Sequence, residues 1–233
     1  MNKDEIREQT KTNAVTWEKP FSNREKELAQ IKDRYDAAPK ETKELFARAY
    51  TGLRDKVERE GVIANAIHGT RMRLHVFHDL HFSIDDEPVH VDFCLISDDT
   101  IVLIDAYEEA PLDTPRFDRR FAKLPDFPSP QRLENNAYLI AELLHRGGFL
   151  GRKEMIRVTP LLVDTKQQLN DKNILAESRS LLYNEIKATS MLSIMGLGEW
   201  LCSNMGENPR GKPFFNEKKL PKICEYLISH ISK

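Results

Sequence analysis

The chain has 233 residues, 40% hydrophobic and 31% charged, and its 35 Lys and Arg against 37 Asp and Glu leave a net charge of −2. That length suits one large domain, or one domain with a helical extension, and the near-balanced charge excludes a bulk-basic nucleic-acid coat while leaving room for a local basic patch. No apolar run reaches the ~20 residues of a membrane span, and the charged start Met1-Asn2-Lys3-Asp4-Glu5 has no apolar signal core.

Residues 1–20 show no periodicity and read as an arm. Ser22 with Glu25 spells a capping box ahead of the stripe Leu28, Ile31 and Tyr35. Pro39 stands where a second helix takes its first turn, and that helix is expected to reach about Ile67, with Gly69 ending it. From Arg71 to Tyr107 the period becomes two. Leu74, Val76, His78, Leu80 and Phe82 form one alternating set; Val89, Val91, Phe93 and Leu95 form the next, beyond the breaker Asp85-Asp86-Glu87-Pro88. Asp98-Asp99 turns the chain into Ile101 to Tyr107. Three strands with short turns predict an antiparallel meander.

Beyond it, Leu133, Ala137, Ile140 and Leu144 mark a helix ended by Gly147-Gly148. Ile156 to Val163 reads as a buried strand, Ile174 to Ile186 as a helix, and Ile223 to Ile231 as a terminal helix. Gly196 and Gly198 read as a lone turn signal. The order predicts an α/β or α+β fold: a mixed sheet whose antiparallel meander is flanked by helices. Residues 1–38 are then an N-terminal arm and helix on a domain of residues 39–233.

Three carboxylates break the local pattern. If Ser97 pairs with Thr100, stepping outward five residues on each strand brings Asp92 opposite Asp105. Like charges so placed lie about 5 Å apart and destabilise the sheet. A bridging divalent cation or a retained proton relieves them; the plainer alternative is that both face water. Glu60 is the third. At about 100° per residue it falls within the apolar stripe of Phe46, Leu53, Val57, Ala64 and Ile67, where an ionised side chain is costly without a partner. Hard oxygen donors of this kind suit Mg²⁺ or Mn²⁺.

The residues resemble the nuclease-related domain family of the PD-(D/E)XK restriction-endonuclease-like superfamily. The likeness lies in Glu60 with Ile63 and Ile67 after it, in Asp92 within Val91 to Ile96, and in Asp105 a further 13 residues on. Pro128-Ser129-Pro130-Gln131 is similar to the Pro-x-x-Gln that opens a later helix there. The resemblance covers about residues 57–165. It implies a restriction-endonuclease-like core and a metal-dependent nuclease, with Glu60, Asp92 and Asp105 holding Mg²⁺ or Mn²⁺ and Gln131 positioning substrate. The partner it implies is nucleic acid, DNA ahead of RNA. The family's motif lysine, which orients the attacking water and offsets phosphate charge, is replaced here by Tyr107, an uncharged donor at neutral pH. Lys123, in the basic segment Arg116 to Lys123, is a candidate substitute. The second reading is a nuclease-derived module without catalysis that binds nucleic acid or a protein partner.

Five of seven histidines fall between His68 and His90, yet no His-Glu-x-x-His or Cys/His spacing accompanies them, so local enrichment competes with a zinc or iron cluster. Cys94, Cys202 and Cys224 are odd in number and far apart. They predict a reducing, cytoplasmic setting rather than a disulfide scaffold.

Overall fold

The computed structural model describes residues 15–98, 100–107, 130–150, 157–166, 179–181, 184–186, 189–205 and 218–231. Their fold is mixed α/β, an eight-stranded sheet with helices on both faces. Strand β1 (Thr16–Lys19) lies at one edge, parallel to β2 (His75–Ile84). Strands β2, β3 (Glu87–Ile96) and β4 (Thr100–Ala106) form the expected antiparallel meander. Strand β5 (Arg157–Asp164) is parallel to β4, and its far edge is shared by two short partners. Its first residues pair with β7 (Asn184–Ile186), which carries β6 (Arg179–Leu181); its last pair with β8 (Ser190–Ser193). Pro160 falls between Val158, paired with β7, and Leu161, paired with β8. A residue without an N–H is tolerated where a ladder is already broken.

The helices are α1 (Glu25–Ala37), α2 (Lys40–Gly69), α3 (Pro130–Arg146), α4 (Ile194–Met205) and α5 (Lys219–His230). Ile63 and Ile67 of α2, with Leu197 and Leu201 of α4, bury against Val76, Phe93, Leu95, Val102 and Ile104. Leu133, Ala137, Ile140 and Leu144 of α3, with Ile223 and Leu227 of α5, cover Phe77, Cys94, Ile96, Ile101 and Leu103 on the other face. Covering both faces is why β4 is an unbroken apolar run apart from its ends and Asp105, and why all of it is buried. Each Leu or Ile so buried contributes about 1.5–3 kcal/mol.

The β2–β3 hairpin turns through Asp85 and Asp86, with φ of 50° and 65°. Two consecutive left-handed residues match the twist of the flanking strands, and Asp tolerates that conformation. A second irregularity matters more. Val76 and Phe93 pack under α2, whereas Leu80 and Val91 pack under α3. Strict alternation would keep Val76 with Leu80 and Val91 with Phe93. The hairpin therefore exchanges faces around Asp79, whose φ is 54°, and Asp92, the one cross-strand position absent from an otherwise continuous register.

Several expectations change. Thr16–Lys19 forms an edge strand rather than an arm; four residues are too few to show a period. The capping box does not form. Helix α1 follows Arg24, itself left-handed at φ 51°, without a side-chain cap. Ser22 Oγ instead accepts from the Arg24 amide at 3.2 Å. Within the stretch read as a helix to Ile186, residues 179–181 and 184–186 are strands, because the open edge of β5 supplies a partner that local spacing cannot reveal. Gly196 and Gly198 lie inside α4.

Candidate carboxylate site

Glu60 sits on the buried end of α2 with Arg59, Ile63, Ala64 and Ile67, and is fully inaccessible to solvent. Its Oε2 lies 3.0 Å from His78 Nε2. The Ser22 amide approaches His78 Nδ1 at 3.3 Å. Nδ1 is then the acceptor, so the proton belongs on Nε2, which donates to Glu60. Phe21 and Phe93 hold the ring between them, with centroids 4.8 and 5.0 Å away.

The register expected for β3 and β4 is observed: Phe93 faces Ile104 and Ile96 faces Ile101. At Asp92 and Asp105 the ladder gives way to side chains. The Asp92 amide donates to Asp105 Oδ1 at 3.0 Å, and the Ala106 amide donates to Asp92 Oδ2 at 2.9 Å. Both aspartates are buried. They are approached from opposite faces of the sheet. Lys56, on α2, brings Nζ to 3.3 Å from Asp92 Oδ1; Arg132, on α3, donates to Asp105 Oδ2 at 2.5 Å. The expectation that both carboxylates share one face is corrected by the change of faces at Asp92.

Lys56 is the residue sequence reasoning missed. One turn before Glu60, it stands 3.5 Å from Glu60 Oε1 as well, so a single ammonium bridges two buried carboxylates. Arg24 adds a second cation 3.7 Å from the same Glu60 oxygen. Burial alone would lower the Lys56 pKa, but Asp92 and Glu60 outweigh it and raise the value, so Lys56 stays charged. Burial would raise Asp92; Lys56, the Ala106 amide and His90 overcome it and hold Asp92 below the ordinary range. Asp105 moves the other way. Burial and the Asp92 charge push it up, against Arg132 and the Asp92 amide.

Of the other expected site residues, Tyr107 follows β4 directly. It is half-buried against the α3-side core, and its amide donates to the Val163 carbonyl at 2.8 Å. Gln131 is exposed in the first turn of α3, while its neighbour Arg132 reaches Asp105. Lys123 and the Arg116 to Lys123 segment lie outside the described residues. Glu60, Asp92 and Asp105 are therefore linked through Lys56 and a backbone bond, rather than gathered on one point. Among the described residues, groups of possible metal-ligating atoms within 4.8 Å of one another are Asp79, His81 and His90, and Glu18, His75 and Cys224. No family model, curated protein or solved structure matches this chain. Among the described residues no helix is long and apolar enough to cross a membrane.

The donor chemistry of the carboxylate site suits a hard cation in part. Glu60 Oε1 is buried without a hydrogen-bond partner and, with Asp92 Oδ1, faces a positive charge. Both Asp105 oxygens are already engaged by the Asp92 amide and by Arg132.

Proposed function

We propose that the chain is a metal-dependent nuclease of the restriction-endonuclease-like kind, acting on phosphodiesters of nucleic acid, with DNA preferred over RNA. The observation that carries this reading is Lys56 Nζ between Glu60 Oε1 and Asp92 Oδ1, at 3.5 and 3.3 Å. It supplies from α2 the cation that Tyr107 withholds at the end of β4. Glu60 and Asp92 would hold Mg²⁺ or Mn²⁺ through those two oxygens, while Asp105, both of whose oxygens are engaged, would fix the Asp92 backbone rather than ligate the ion. A divalent ion bound there would supply a water of lowered pKa and stabilisation of charge on a phosphoryl oxygen. His78 orients Glu60, and the Ala106 amide fixes Asp92. The Lys56 ammonium, on its long stem, is suited to offset charge developing on the phosphate. The three free cysteines fit a cytoplasmic setting.

The second reading, a module that binds nucleic acid or a protein without cutting, is favoured by one specific contact: Arg132 already neutralises Asp105. Incubation of the purified chain with labelled DNA and RNA, with Mg²⁺ or Mn²⁺ and with chelator, separates the two. Metal-dependent cleavage lost in Asp92→Asn and Lys56→Ala supports the nuclease. Binding without cleavage under every metal condition supports the module.

A further inference from the structure

A second constellation lies outside the three carboxylates. His81 and His90 are direct cross-strand partners on β2 and β3, their ring centroids 3.9 Å apart. Asp79, in its left-handed conformation, turns its carboxylate toward both: Oδ1 lies 3.0 Å from His81 Nε2 and 3.4 Å from His90 Nε2. Two imidazole nitrogens and a carboxylate oxygen thus converge from one rigid hairpin. We propose that Asp79, His81 and His90 form a binding site for a first-row transition-metal ion of the zinc type.

Geometry carries the assignment. Zinc bonds of about 2.0–2.1 Å place tetrahedral ligand atoms about 3.4 Å apart, against 3.0 and 3.4 Å for the two measured edges. Independently, the His90 side chain is only 11% exposed, and its buried Nε2 faces Asp79 Oδ1 at 3.4 Å, long for a hydrogen bond, so an ion between them would satisfy a poorly satisfied buried nitrogen. The site is also open. His81 is 50% and Asp79 28% exposed at the side chain, so water can reach a remaining coordination position. Three protein ligands with one open position are the arrangement of zinc sites that activate a ligand rather than merely brace a fold. Two imidazoles select against Mg²⁺, so this site and the carboxylates prefer different ions.

One feature opposes binding. Arg24 Nη2 lies 2.9 Å from Asp79 Oδ1. Among the described residues the carboxylate's polar contacts fall on Oδ1, so the second oxygen can serve either the guanidinium or the ion. His90 Nε2 is also 3.9 Å from Asp92 Oδ1, so the site adjoins the carboxylates while sharing no ligand with them.

Titration of the metal-free full chain with Co²⁺ and Zn²⁺, followed by absorption and calorimetry, tests the proposal independently of any nuclease activity. The expected result is one ion per chain, a visible ligand-field spectrum without a sulfur-to-cobalt band, and a raised melting temperature. His81→Ala, at a half-exposed position, should fold as the wild type does and bind more than tenfold more weakly. His75→Ala should bind normally. Failure of the wild type to bind, or binding unchanged by His81→Ala, overturns the proposal. So does a thiolate band abolished by Cys224→Ser, which would place the ion at the Glu18, His75 and Cys224 group.

Discussion

Asp92 and Asp105 are joined by a backbone-to-side-chain bond: the Asp92 amide donates to Asp105 Oδ1 at 3.0 Å. The Asp92 carboxylate, for its part, accepts from the Ala106 amide at 2.9 Å. Two like charges on neighbouring strands are thereby tolerated. Each receives a backbone N–H and a separate cation, Lys56 for one and Arg132 for the other. The carboxylates do the ladder's work where the strands part, so their charges have structural as well as chemical consequences.

Asp105→Asn shows the difference this makes. From sequence, removal of one charge should relieve repulsion and stabilise the metal-free protein. In the structure the same change replaces the carboxylate that pairs with Arg132, only 13% exposed, by a neutral amide. Losing a buried charge-assisted hydrogen bond costs about 1–3 kcal/mol, which exceeds the repulsion relieved between two carboxylates that already have their own cations. Urea denaturation should therefore show Asp105→Asn less stable than wild type. A gain in midpoint at unchanged slope would mean the repulsion dominates after all.

Lys56→Ala should separate metal binding from the rest of the site. Glu60 keeps His78 at 3.0 Å and Arg24 at 3.7 Å, but buried Asp92 loses its cation and keeps the Ala106 amide. The loss of stability is then expected to approach the ~3–5 kcal/mol of an orphaned buried charge. If the ammonium and a divalent ion compete for the same two oxygens, Mg²⁺ or Mn²⁺ should raise the melting temperature of the variant more than that of wild type. Equal shifts in the two proteins would show that they do not share that position.

The meander was legible because turns and period-two spacing agree: Ser97 meets Thr100, and the register runs on from there. Glu60 was legible because an acid inside an apolar stripe is anomalous whatever covers it. What escaped depends on tertiary structure. Val76 and Leu80 read as face-mates, yet belong to opposite cores, since both faces are apolar and the exchange is made by backbone torsion at Asp79. Lys56 carries a faint signal, its place four residues before Glu60 on one helix face. Arg24 carries none. It reaches Glu60 and Asp79 because the connection leaving edge strand β1, which pairs with β2, carries it there.

Acid should unfold the protein through Asp79 and Asp92. Burial acts to raise both, but His81, His90 and Arg24 at Asp79, and Lys56 with the Ala106 amide at Asp92, bring both below the ordinary 3.8. A lowered carboxylate contributes stability that is present above its unfolded value and lost as pH falls through its folded value. Asp105, raised by burial and by Asp92, opposes this. Its contribution is present below 3.8 and lost as pH rises through the folded value. Melting temperature against pH should thus fall on acidification below about pH 4. The fall should be shallower in Asp79→Asn and Asp92→Asn, and steeper in Asp105→Asn. An unchanged acid limb in Asp79→Asn would remove that residue from the account.

The last prediction concerns the lysine that Tyr107 replaces. If Lys56 performs its role from α2, wild type should cut with Mg²⁺ or Mn²⁺, and Lys56→Ala should lower the rate by ~10²–10³, the usual cost of one preorganised charge or donor. Tyr107→Lys alone should then add little. The ring packs half-buried against the α3-side core, so its loss also carries a packing penalty of about 1–2 kcal/mol. The decisive protein is Lys56→Ala combined with Tyr107→Lys. Recovery of cleavage there would show that a cation delivered from either α2 or the end of β4 serves the same phosphate. Lys123→Ala should leave the wild-type rate unchanged; loss of cleavage in that variant, with Lys56→Ala active, would assign the role to the basic segment instead. If none of these proteins cuts DNA or RNA while Mg²⁺ still shifts melting, the carboxylates hold an ion without catalysis, and the non-cutting module becomes the correct reading.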